Sequence, residues 1–142
     1  MTIRIRQADC DAMAAHARAA LPNEACGLIA GRQDGALQYI EKVYLLTNTD
    51  QSRTHFSIDP REHLAAVKDM RAHGLSPLGN FHSHPETPAR PSQEDIRLAH
   101  DPKATYLILS LAESPPVLHA FHIENAAASP LRLEISPYTD ER

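Results

Sequence analysis

Two histidines one residue apart, His82 and His84, stand in the run Phe81-His82-Ser83-His84-Pro85. On an extended backbone residues i and i+2 project to the same face, so both imidazoles can turn to one ion while Ser83 points away. A proline-rich run, Glu86-Thr87-Pro88-Ala89-Arg90-Pro91, leads to Ser92-Gln93-Glu94-Asp95. Ser92 is expected to open a short helix with Asp95 in its first turn, and the prolines can fold that turn back towards the histidines. Two imidazoles and one carboxylate make three ligands for zinc and leave the fourth tetrahedral position for water, an open and catalytic kind of site. The set suits other borderline divalent ions as well, with zinc preferred.

Zinc lowers the pKa of a bound water to about 7. The proton then needs a base within hydrogen-bond reach. Glu24 is the candidate, because it enters a buried strand beside Cys26 and Gly27, where an isolated carboxylate would be costly without a nearby cation. A divalent ion with two neutral imidazoles and one aspartate keeps one positive charge, which Glu24 would neutralise. Ser92 can offer its hydroxyl to the oxyanion formed when a carbonyl is attacked.

Each residue also has an ordinary explanation. Ser92 and Asp95 have the spacing of a helix capping box. A lone His-x-His occurs on exposed strands, and a glutamate after Pro22 can be a surface group. The two together with Ser92 and Asp95 outweigh these readings. Cys26 could be imagined as a nucleophile with a histidine as base, but a thiol in an apolar strand is ordinarily inert packing. His119 and His122, three apart on an expected strand, face opposite sides and cannot chelate together. His16, His55, His63, His73 and His100 have no mutual ligand spacing. No Gly-rich phosphate loop and no His-Glu-x-x-His helix is present.

The elements that must position these groups follow from periodicity and punctuation. Residues 9–20 read as a helix with Asp9 as its cap and Pro22 and Asn23 beyond it. Residues 25–31 read as a short buried strand, residues 37–46 as a second, and 56–58 as a further short one. Asp59-Pro60 gives a cap and a first-turn proline for a helix carrying Leu64, Val67 and Met70 that Gly74 ends. Strands follow at 78–81, 105–111, 117–123 and 131–135, with a short helix at 92–100 between the first two. The expectation is an α/β or α+β fold in which helices flank a mixed sheet.

The chain has 142 residues with 42% hydrophobic and 23% charged residues, which suits one domain over 1–142 and argues against disorder. A formal charge of −4 provides no broad cationic field for nucleic acid or anionic membrane. The amino terminus alternates apolar and polar residues and lacks the apolar run of a leader, and residues 105–112 are too short to span a bilayer. With only Cys10 and Cys26 there is no disulfide scaffold, so the cytoplasm is the expected compartment.

Glu24 in Pro22-Asn23-Glu24-Ala25-Cys26-Gly27-Leu28, with His82-Ser83-His84-Pro85, six residues, and Ser92-x-x-Asp95, resembles the JAMM (MPN-plus) metalloprotease motif at every position. That resemblance implies an MPN fold, His82, His84 and Asp95 as ligands of one zinc, Glu24 as general acid/base and Ser92 as hydrogen-bond donor to the transition state. It implies cleavage of a peptide or isopeptide bond at the carboxyl end of a ubiquitin-like protein. The small size is similar to stand-alone prokaryotic members, which act on sulfur carrier proteins, for example by releasing cysteine from a Gly-Gly terminus. Nucleic acid and membrane are not expected partners, and a homodimer is left open. The rivals are a non-catalytic MPN-type binding module and a metal hydrolase acting on a phosphoester or small amide. Arg53 and Arg90 are candidates to hold the free carboxylate of an amino-acid leaving group.

Overall fold

Buried residues alternate along residues 2–6 and 37–40 and run unbroken over 26–31 and 105–110, and three helices, two of them capped by a side chain at their N-terminus, separate the strands. The computed structural model describes residues 1–137; residues 138–142 of the domain expected over 1–142 lie outside the described residues. The order is β1 (Thr2–Arg6), α1 (Gln7–Ala20), β2 (Cys26–Asp34), β3 (Leu37–Leu46), α2 (Pro60–Ala72), β4 (Ser76–His84), α3 (Gln93–Leu98), β5 (Thr105–Ser110), β6 (Val117–Glu124) and β7 (Ala127–Ser136). The strands pair in the order β1, β3, β2, β4, β5, β6, β7, and β1 returns to β7, so the mixed sheet closes into a barrel. β1 runs parallel to both β3 and β7, and β4 runs parallel to β5.

The barrel's inner face gathers Ile3, Ile5, Ile29, Ile40, Leu78, Phe81 and Leu107, onto which α1 lays Cys10 and Met13. On the opposite face α2 covers Leu28, Ala30 and Tyr44 with Ala66 and Met70. Ile96 and Ala99 cover Tyr106, Ile108 and Phe121 of β5 and β6. Helices therefore flank the sheet on both faces, as expected. Gly27 is required where β2, β3 and β4 are closest, since a Cβ there would collide with the Tyr44 carbonyl oxygen and the Phe81 ring. Among the described residues no helix is long and apolar enough to cross a membrane.

Three local expectations change. Residues 1–6, to which the sequence assigns no element, contain β1, which closes the barrel. β1 passes into α1 without a turn, so the helix begins at Gln7 and Asp9 does not cap it; Asp9 sits in the first turn and accepts from Arg6 Nε at 3.1 Å. The strand expected at 56–58 reduces to one bridge between Asn48 and Ile58. The Asn48 carboxamide replaces the ladder, accepting from Asp50 N and Ser57 N and donating to the carbonyls of Glu24 and His55. α2 matches its signal closely: Asp59 accepts from Arg61 N at 2.8 Å, Pro60 fills the first position, and Gly74 follows at φ +67. Leu64 faces solvent, however, and Ala66 and Met70 make the contact.

Candidate metal centre

β4 is longer than the expected 78–81 and carries both histidines at its end, opposite Ile108 and Ser110 of β5. Its alternation sends Phe81 and Ser83 to the inner face and His82 and His84 to the outer one. His82 Nε2 and His84 Nε2 are 3.1 Å apart, and Asp95 Oδ2 lies 3.1 and 3.0 Å from them. The chain thus brings together the three residues that spacing singled out, and all three side chains are under a tenth exposed.

Local bonds set each orientation. His84 Nδ1 donates to the Pro88 carbonyl at 2.8 Å, which turns its Nε2 towards the cluster. The Phe56 ring stacks on the His82 imidazole with centroids 4.9 Å apart, and His82 Nδ1 is buried without a partner. Asp95 is held by a true capping box: its backbone N–H donates to Ser92 Oγ, and its Oδ2 accepts from Ser92 N at 2.9 Å. The ordinary reading of Ser92 and Asp95 is therefore satisfied and the carboxylate still reaches both imidazoles. Burial works against an ionised Asp95, but hydrogen bonds from His82 and His84 hold its carboxyl well below the usual carboxylate range. Burial lowers the His84 pKa, yet the bonds to Asp95 and Pro88 outweigh it and leave it raised.

Three such atoms turned on one another can share one positive charge placed between them. A tetrahedral zinc with ligands at about 2.0–2.1 Å would separate them by roughly 3.3 Å, close to the observed triangle. The donor set fits a divalent cation on geometry and on chemistry. Among the described residues this is the group of His, Cys, Asp and Glu side chains close enough to share an ion.

Glu24 is 2% exposed and its Oε1 has no hydrogen-bond partner. Burial pushes its carboxyl up to about 8, with His84 acting to lower it and Asp95 to raise it. Its placement comes from residues the sequence reading did not assign. Ser83, between the two histidines, accepts from Ala25 N at 2.7 Å through Oγ and donates its own N–H to the Ala25 carbonyl at 3.0 Å. Glu24 N donates to the Ser52 carbonyl at 2.7 Å, and Asn48 holds the Glu24 carbonyl. An inward-facing serine on a core strand must find a partner, and that was the signal available for Ser83.

The other candidates separate clearly. Burial pushes the Cys26 and Cys10 thiols up to about 12, so neither is a nucleophile at neutral pH. His119 bonds the Ala89 carbonyl, and His16 bonds that of Leu46. Arg53 pairs with Glu86 at 3.5 Å across exposed loops, and Arg90 is exposed.

A protein-family model described as "Prokaryotic homologs of the JAB domain" matches residues 6–124. The CysO-cysteine peptidase of Mycobacterium tuberculosis is 37% identical over 100 residues, 70% of this chain and 67% of that one. A probable TtuB-protein conjugate cleaving protease of Thermus thermophilus is 41% identical over 86 residues, covering 60% of this chain and 55% of the other. The solution structure of a protein from Desulfitobacterium hafniense superposes with a TM-score of 0.89 at 53% identity, over 97% of this chain and 95% of that one. The chain belongs to the prokaryotic JAB family, in agreement with the JAMM resemblance of its motif.

Proposed function

We propose that this protein is a zinc-dependent peptidase that cleaves the bond following the C-terminal Gly-Gly of a ubiquitin-like or sulfur carrier protein. The observation that carries the reading is a buried, unpartnered carboxyl beside a triangle of three ligand atoms. A binding module has no use for so costly a group. The names of the mycobacterial and Thermus relatives support the substrate class.

His82, His84 and Asp95 would hold the zinc, which supplies a Lewis acid and acidifies a water. Glu24, drawn to its ionised form by a cation offsetting its burial, accepts the water's proton and returns it to the departing nitrogen. The burial that raises its carboxyl also favours its holding that proton until the second step. Ser92 Oγ accepts from Asp95 N and keeps its O–H for the developing oxyanion. Arg53 adjoins Ser52, whose carbonyl holds Glu24 N, and its guanidinium suits the free carboxylate of an amino-acid leaving group. The two buried, unpaired thiols suit a cytoplasmic protein.

The test is mass spectrometry of products from a carrier-cysteine adduct, a carrier-protein isopeptide conjugate and simple phosphoesters. The parental protein should release a carrier ending in Gly-Gly. Glu24→Gln should keep its zinc and slow release by about 10²–10⁴-fold. Hydrolysis confined to phosphoesters, or parental rates in Glu24→Gln, would overturn the assignment.

A further inference from the structure

Two asparagines make opposite use of the same side chain. Asn48 fills all its hydrogen-bonding positions, two donated and two accepted, and so stiffens the loop that carries Ser52 and Phe56. Asn80 makes no hydrogen bond through its side chain, and its Oδ1 is buried with no partner. It lies on β4 two residues before His82, on the face that also carries His82 and His84. There it lines a cavity of about 840 Å³ whose wall includes Leu28, Ile58 and Ile108 and which reaches His82 and Asp95. An orphaned acceptor in an apolar wall weakens the fold unless something arrives to donate to it.

We propose that Asn80 is a substrate-binding residue on the acyl side of the site, its Oδ1 accepting a main-chain N–H of the extended carrier tail. This rests on the peptidase reading. Asn80 and His82 are separated by one two-residue step of the strand, roughly 6.6 Å, and an extended peptide advances by the same amount. A tail running alongside β4 in the same direction, with its scissile carbonyl at the His82, His84 and Asp95 cluster, lays its backbone about two residues upstream over Asn80. A glycine-rich tail has no side chains to be recognised, so its N–H groups are the donors it can offer. The apolar side chains beside it, Leu28, Ile58 and Ile108, limit the water that competes for such a bond.

The test compares Asn80→Ala and Asn80→Leu with the parental protein on a carrier-cysteine adduct, with zinc content and melting temperature measured alongside. Both variants should raise KM by about tenfold with little change in kcat, the fold-change of one lost hydrogen bond. Zinc content should stay parental. Asn80→Leu should melt higher than the parent, because it replaces the orphaned acceptor with apolar volume in an apolar wall, whereas a merely structural asparagine would melt lower on replacement. Methylating tail nitrogens one at a time should reveal a position whose penalty in the parental protein disappears in Asn80→Ala. Unchanged KM in both variants, with the parent active, would overturn the role of Asn80 alone. Loss of zinc in Asn80→Ala would overturn it too, by assigning Oδ1 to His82 Nδ1. A parental protein inert on every carrier adduct would overturn both this inference and the peptidase reading.

Discussion

Over residues 81–84 both faces of β4 are hidden from water, and they differ in how their polar atoms are satisfied. Inward, Phe81 and Ser83 are fully buried, with Phe81 packed among isoleucines and Ser83 bonded through both its N–H and its hydroxyl to Ala25. Outward, His82 and His84 are 2% and 3% exposed, yet His82 Nδ1 and Asn80 Oδ1 are unpaired and three ligand atoms crowd within about 3 Å of one another. Burial alone does not distinguish a structural face from a working one. Satisfaction does, because a fold built for stability leaves few buried polar atoms unpaired, whereas a site holds them ready for an ion or a substrate.

That contrast is broken most severely on the outer face. His84→Ala should lose both bound zinc and turnover, measured by elemental analysis and product release, while the chain stays folded. On the inner face Phe81→Ala should cost about 3–5 kcal/mol in chemical denaturation by opening a cavity in the barrel, and below its melting transition should leave zinc binding intact. Ser83→Ala belongs between these: stranding the Ala25 N–H should cost about 1–3 kcal/mol, and the loosened entry to β2 should also reduce kcat through Glu24. Equal effects of Phe81→Ala and His84→Ala on zinc content would erase the distinction between the faces.

The smallest effect is a pH slope. In chelated protein the folded Glu24 carboxyl, at about 8, holds its proton where the unfolded one, at the ordinary 4.5, has lost it. The stability this confers is complete below about 4.5 and is lost as pH rises through 8. His84, raised by Asp95 and Pro88, loses its contribution in the same direction. Melting temperature should therefore fall with pH across this range, and less steeply in Glu24→Gln, where only the histidine part persists; identical slopes would contradict a buried Glu24 carboxyl.

Much of the site was legible because it is local. His82, His84, Ser92 and Asp95 lie within one stretch whose strand period and capping box the residues themselves state, and the structure brings the side chains of His82, His84 and Asp95 within reach of one another, as that spacing predicted. α2 was legible for the same reason, through Asp59, Pro60 and Gly74. The closure of the barrel was not, because β1 finds β7 across nearly the whole chain and alternation in Met1 to Arg6 names no partner. Phe56 on His82 and Asn48 on the Glu24 carbonyl were also hidden, since side chains that replace a ladder leave no period to read. Glu24 occupied an intermediate position: its type and setting suggested a buried carboxylate, but its missing partner is a fact of the assembled chain.

Zinc K-edge absorption of the purified protein tests the central claim most directly. Two imidazole nitrogens with oxygen in the remaining positions, and no sulfur, is the predicted first coordination shell, with the zinc edge lost from His84→Ala along with its metal. Zinc bound through sulfur, or an imidazole signal unaltered by that substitution, would show that His82, His84 and Asp95 do not share an ion.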